Sequence, residues 1–254
     1  MICPAGQGRC LPETLMDSTS TITSHIPTVA PLPAGEYLMG CERGRSDERP
    51  VHRVRVDPIA MGITTVTNEQ YRFFVGQAGG RMPESFLESR FSHPRQPVVS
   101  VNWLEAAAYC GWLSEWTGQT WRLPTEAEWE WAIRQNREGC LFAWGDRDPS
   151  EFELYRTGWR NRCPHRVALQ PPNEFGLYDL GDNVHEWCLD WYARDYYQRS
   201  PGNNPVNRDE TRRRASRGGA WRHQIKVSRC AARSSLDPTY KYTDYGFRVV
   251  KVLH

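Results

Sequence analysis

Phe175–Trp187 reads FGLYDLGDNVHEW, a short stretch that sets Asp179, Asp182 and Glu186 around a Gly-Asp-Asn turn. Oxygen donors and a chain reversal therefore fall close together. Taken alone, Asp179 and Glu186 can cap turns or pair with nearby arginines. Four further stretches frame this one. WRLPTEAEWEWA (Trp121–Ala132) lies upstream, and RGGAW (Arg217–Trp221), RCAARS (Arg229–Ser234) and GFRVV (Gly246–Val250) follow downstream.

The chain around these stretches has 254 residues, enough for one well-buried domain and cramped for two. A formal net charge of +2 gives no global field that would attract nucleic acid or an anionic membrane. Eleven Trp and eleven Tyr point to large rings filling an irregular core. The eight cysteines are scattered, with no Cys-x-x-Cys pair and no zinc-type spacing. The N-terminal MICPAGQGRC lacks the apolar run of a signal peptide, and no segment reaches the length of a membrane span. Reduced thiols and a cytoplasmic location are the expectation.

Residues 1–30 are rich in Ser, Thr and Pro and read as a mobile tail, with the domain running over 31–254. Alternation predicts strands in Pro31–Gly40 and Val51–Met61. Three capping boxes predict helix starts: Thr67 with Gln70, Asn102 with Glu105, and Thr125 with Glu128. From Cys140 onward, frequent Gly, Pro, Asn and Asp predict turns and short strands. The fold class is α+β, a single domain with little regular structure. The basic run Arg208–Arg217 is diluted by Asp209 and Glu210 and reads as a solvated loop.

Taken in this order, the five stretches resemble the formylglycine-generating enzyme (sulfatase-modifying factor) family. The resemblance extends over roughly residues 31–250, through PAGEYLMG, DERPVHRVRV, TTVTNEQYRFF, PVVSVNWLEAAAYCGWL and FAWGD. It implies a fold related to C-type lectins and a structural Ca²⁺. The ligands it implies are side-chain oxygens of Asp179 and Glu186 and the backbone carbonyls of Asp182 and Val184. Asp182 stands where the family usually has Gly. The family's other calcium site falls near residues 158–169 and is not assigned to particular residues. His185-Glu186 lacks the second His of a helical zinc motif. A lone His beside a turn is expected to face solvent or to hydrogen-bond.

The family's oxidases hold copper(I) with two cysteines between the GGS-type and AARS motifs, and soft thiolates are what copper(I) requires. Here that interval is RHQIKVS (Arg222–Ser228), with no cysteine, and Ala220 replaces the serine that follows the two glycines. Formylglycine synthesis by the family's mechanism is therefore not expected. Cys110 and Cys230 match positions that form disulfides in secreted relatives. Their partner positions are Val249 and Ile133 here, so both thiols are expected to be buried and inert.

Two functions remain open. The first is an accessory or recognition protein that binds a peptide, protein or natural-product partner through Arg222, His223, Gln224, Tyr240 and Tyr242, because tyrosines with mixed charge make adaptable surfaces. An ordinary solvated loop is the plain alternative for that segment. The second is a divergent metal-dependent oxidoreductase acting on a peptide or natural-product side chain. Its candidate catalytic residue is His223, at the position of the first missing cysteine, joined by a nearby acid or His165. Iron or copper there would lack a complete ligand set in the sequence.

Overall fold

The structure is a computed structural model that describes residues 25–135, 137, 139–146 and 160–253. All three capping boxes form. Thr67 caps α1 (Asn68–Ala78), Asn102 caps α2 (Trp103–Thr117) and Thr125 caps α3 (Glu126–Arg134). In each, the cap side chain accepts from the fourth residue's N–H while the side chain of that residue accepts from the cap's own N–H. Two orphan backbone donors are satisfied reciprocally. Gly79 and Gly118 end the first two helices in the left-handed conformation.

Order begins earlier than position 31. β1 (Val29–Leu32) pairs with β4 (Ile59–Gly62), and His25 stacks on Phe73. Residues 1–24, the rest of the expected tail, lie outside the described residues. The strand expected over Val51–Met61 is two strands, β3 (His52–Val56) and β4. The break falls at Asp57-Pro58, and proline brings no N–H to a ladder. β3 pairs with β2 (Gly35–Met39) in a two-stranded ribbon. β4 instead enters a sheet ordered β1-β4-β10-β5, with β5 at Trp121–Arg122 and β10 at Val250–Val252.

The C-terminal half forms a second four-stranded sheet, ordered β8-β7-β6-β9. Its strands are β6 (His185–Trp191), β7 (Arg214–Arg217), β8 (Arg233–Leu236) and β9 (Tyr245–Gly246). Here the reading of Arg208–Arg217 as a solvated loop is corrected at its end, where Arg214–Arg217 is strand β7. The Arg214 guanidinium lies 3.6 Å from the Trp103 ring centre and 3.5 Å from that of Trp191. Arg217 is fully buried.

α3 is buried along its whole length, including Glu126, Glu128, Glu130 and Arg134. Buried carboxylates persist only when paired and hydrogen-bonded. Glu126 accepts from Arg217 (2.8 Å) and twice from Arg233 (2.7 and 2.8 Å). Glu130 accepts from Arg134 and from the Gly40 N–H, and its other oxygen lies 3.0 Å from Arg217. Burial alone would push the Glu126 carboxyl up, but Arg233 and Arg217 overcome this and hold it below its ordinary value. Trp129, Trp131 and Ile133 of α3 pack with Tyr37, Val54 and Leu180, while Tyr71, Tyr109, Trp187 and Phe247 form a second core. Most of the expected aromatic core is found there. Trp116, Tyr240 and Tyr242 stay exposed.

Candidate functional site

β6 and β9 run parallel, with His185 opposite Tyr245, and the His185 N–H donates to the Asp244 carbonyl at 2.8 Å. That register brings the Asp244 carboxylate to the entry of β6. His223 arrives from the loop after β7, whose path depends on two glycines. Gly218 has a φ of 80°, and a Cβ on Gly219 would lie 2.1 Å from Ser228 Oγ and 2.8 Å from the Gly181 carbonyl. Three bonds pin this loop to its neighbours. Gly219 N–H donates to Gly181 O, Trp221 N–H to Asn183 O, and the Trp221 indole to Thr243 O, each at 3.0 Å.

A chain of polar side chains results. His185 Nε2 lies 2.7 Å from His223 Nδ1, and His223 Nε2 lies 3.2 Å from Asp244 Oδ2. The other Asp244 oxygen accepts from Arg222 at 2.7 Å. His185 and Asp244 are buried, while the His223 side chain keeps 35% of its surface exposed and so opens the group to solvent. Burial, then the neighbouring His223, lowers the His185 pKa to about 3, although the Gly218 and Arg217 carbonyls beside the ring favour its N–H. Burial also lowers His223, against the pull of Asp244 and with the help of Arg222. Burial thus favours the neutral form of both imidazoles.

Of the two partners expected for His223, the nearby acid is present as Asp244, and His165 is not there. His165 turns away to Asp182, Nε2 to Oδ2 at 3.5 Å, and its place beside His223 is taken by His185. Burial pushes His165 down, but the hydrogen bond and charge of Asp182 raise it to about 9. Sequence reasoning passes over His185 because no helical zinc spacing follows it. What assembles the group is the parallel register of β6 and β9, which sets residues 185 and 244 side by side.

The residues expected to hold calcium lie on one turn and the strand after it. Asp179 has a φ of 58° and Gly181 a φ of 91°, so the left-handed positions precede Asp182, which needs no glycine. Burial and the neighbouring Asp182 raise Asp179 to about 6, and its Oδ2 accepts the Ala168 N–H at 2.9 Å. A buried acid beside a second acid is the electrostatic situation that a cation relieves. Glu186 is differently placed. Arg248 pairs with both its oxygens, and the Trp129 indole donates to Oε2 at 2.8 Å. The all-oxygen set fits a hard ion, with Arg248 competing for one of its members. Among the described residues, the His, Cys, Asp and Glu side chains whose donor atoms converge are His185, His223 and Asp244.

The expected partner surface is exposed beside this group. Tyr240 and Tyr242 are 53% and 42% exposed, their rings meet edge to face at 6.4 Å, and the Arg222 guanidinium sits 5.8 Å from the Tyr242 ring centre. Gln224 is exposed on the same loop, and Lys241 is tied to Glu105 at the start of α2.

The described cysteines are free thiols. Burial raises Cys110 to about 12, as expected for an inert thiol. Cys230 has a neighbour that its sequence context does not reveal. Its N–H donates to the Leu141 carbonyl at 2.9 Å, which sets it against Cys140, and their thiols hydrogen-bond. Cys140 and Cys41 border a cleft of about 450 Å³ together with Arg134 and Arg229. The hydrogen bond from Cys230, then the charge of Arg137, outweigh burial and lower Cys140 to about 6.

The sequence profile of the sulfatase-modifying factor enzyme 1-like domain matches residues 16–253. The chain belongs to this family. Among sulfatase-modifying factor relatives, the formylglycine-generating enzyme of Streptomyces coelicolor is 32% identical over 278 residues, covering 85% of this chain and 87% of the relative. A protein named serine/threonine-protein kinase pkn1 from Chlamydia pneumoniae is 33% identical over 236 residues, with 85% of this chain matched. The chain spans only 36% of that relative's length. In structure it resembles PvdO from Pseudomonas aeruginosa, with a TM-score of 0.74, 24% identity, and coverage of 90% of this chain and 95% of the other. The sulfatase-modifying factor fold and the α+β class are thereby shown. No helix among the described residues is long and apolar enough to cross a membrane.

Proposed function

We propose that this chain is a recognition domain of the sulfatase-modifying factor family that binds a peptide or protein partner and does not make formylglycine. The observation that carries this reading is the loop Arg222–Ser228. It has no thiol to hold copper(I), and it sets Arg222 against Tyr242 beside exposed Tyr240. Rigid aromatic rings with a guanidinium among them give large contact area at small entropic cost. A structural Ca²⁺ at Asp179, Glu186 and the carbonyls of Asp182 and Val184 belongs to the same proposal. The free thiols support a reducing, cytoplasmic setting.

A displayed random-peptide library, selected on the purified chain, tests the surface. The expected result is binders whose affinity falls at least about tenfold in a Tyr240→Ala, Tyr242→Ala double variant. Binders indifferent to both changes would move recognition elsewhere. A Cys-x-Pro-x-Arg peptide incubated with copper(I) and oxygen should gain no aldehyde, and an aldehyde yield above the protein-free control overturns the non-oxidase reading.

The second reading, a metal-dependent oxidoreductase acting on a peptide or natural-product side chain, is favoured by one observation. His223, its candidate catalytic residue, meets a second imidazole and a carboxylate.

A further inference from the structure

His185, His223 and Asp244 each offer one donor atom, and these atoms lie within 4.8 Å of one another. We propose that the three side chains bind a single divalent first-row transition cation, of the Zn²⁺ or Fe²⁺ kind, at the entry of β6. This stands independently of the recognition reading, because it concerns the ion and not the partner.

The donor chemistry selects the class. Two imidazoles and a carboxylate suit borderline cations, whereas Ca²⁺ and Mg²⁺ prefer oxygens alone and copper(I) prefers thiolates. Ligands about 2.1 Å from a metal at tetrahedral angles are about 3.4 Å apart. His185 meets His223 Nδ1 at 2.7 Å while Asp244 meets Nε2 at 3.2 Å, so the partly exposed His223 ring turns to bring one nitrogen to an ion shared with both.

A buried atom supplies the independent observation. Asp244 Oδ2 accepts no well-formed hydrogen bond, and its polar neighbour is His223 Nε2 at ion-pair distance, 3.2 Å. Leaving a buried polar atom unsatisfied costs stability. The Asp244 oxygen faces His223, where a cation would satisfy it. The Gly218 and Arg217 carbonyls beside the His185 ring favour an N–H on Nδ1, so the ring can present Nε2 to the ion. Arg222 occupies only Oδ1 and leaves Oδ2 to the site.

The alternative occupant of this geometry is nothing at all, a metal-free His-His-Asp hydrogen-bond chain. To separate the two, the full chain is stripped of metal and titrated with Co²⁺ in the visible range, followed by Zn²⁺ competition. The expected result is one equivalent bound, with nitrogen and oxygen ligation and no thiolate charge-transfer band. His223→Ala and Asp244→Asn should each weaken binding at least about tenfold. Cys140→Ser should leave it unchanged. His223 is partly exposed, so its variant is the one expected to remain folded, and its thermal melt verifies that. Absence of saturable binding overturns the site, as does a thiolate band or undiminished binding in folded His223→Ala.

Discussion

Arg248 grips Glu186 at two points, Nε to Oε2 at 2.6 Å and Nη2 to Oε1 at 2.8 Å, with both side chains fully buried. The arginine also donates to the Gly62 and Tyr178 carbonyls, so it ties β6 to β4 and to the turn before β6. Breaking a buried pair strands a charge, which generally costs about 3–5 kcal/mol. Arg248→Met is expected to destabilise the chain by about that amount, read by urea denaturation with tryptophan fluorescence. A loss below about 1 kcal/mol would show that the pair is not a brace.

Calcium should act through Asp179. Added Ca²⁺ is expected to raise the melting temperature, and a chelator to reverse the rise. Asp179→Ala should abolish the increment while Arg222→Ala leaves it intact. A melting temperature indifferent to Ca²⁺ at millimolar concentration would remove the ion from this turn.

Cys140 should be the most reactive described thiol. Iodoacetamide labelling followed by mass spectrometry should modify it first at pH 7, with a rate that rises through about pH 6. Cys110 and Cys188, buried and shifted upward, should lag. Cys230→Ala, which removes the donor, should slow Cys140 at pH 7 if the neighbouring thiol sets its acidity. Equal rates in the two proteins would reject that cause.

His185 gives metal-free protein an acid liability. Its folded pKa, about 3, lies below the ordinary 6.5, so the unfolded chain binds the extra proton between those values. Stability from this group is present above about pH 6.5 and is lost as pH falls toward 3, by about 1.4 kcal/mol for each pH step of one crossed within that window. His185→Phe, whose ring can keep the contact with Tyr245, should flatten the stability profile over the same range. A variant whose profile parallels the parent protein would show that His185 titrates normally.

Local chemistry was legible in the sequence, and long-range register was not. The helix starts at Asn68, Trp103 and Glu126 could be read from their caps, because a capping box is complete within four residues. The missing thiols and the exposed Tyr240 and Tyr242 were equally visible. The His185–Asp244 neighbourhood was hidden, since it depends on a two-residue parallel bridge across a large sequence separation. Cys140 escaped for a similar reason: it meets Cys230 through one backbone bond, from the Cys230 N–H to the Leu141 carbonyl. In Arg208–Arg217, charge suggested solvent, but Arg217 had a buried carboxylate waiting and Arg214 two indole faces.

Arg217 and Arg233 stand opposite each other in the β7–β8 pairing, and both close on Glu126. The segment between them, residues 218–232, is thus clamped at its base by one carboxylate of α3. Arg222 and His223, which face the polar group, lie well inside that segment and take no part in the clamp. In this chain the residues that hold the loop's two ends are thus separate from the residues that give it its chemistry.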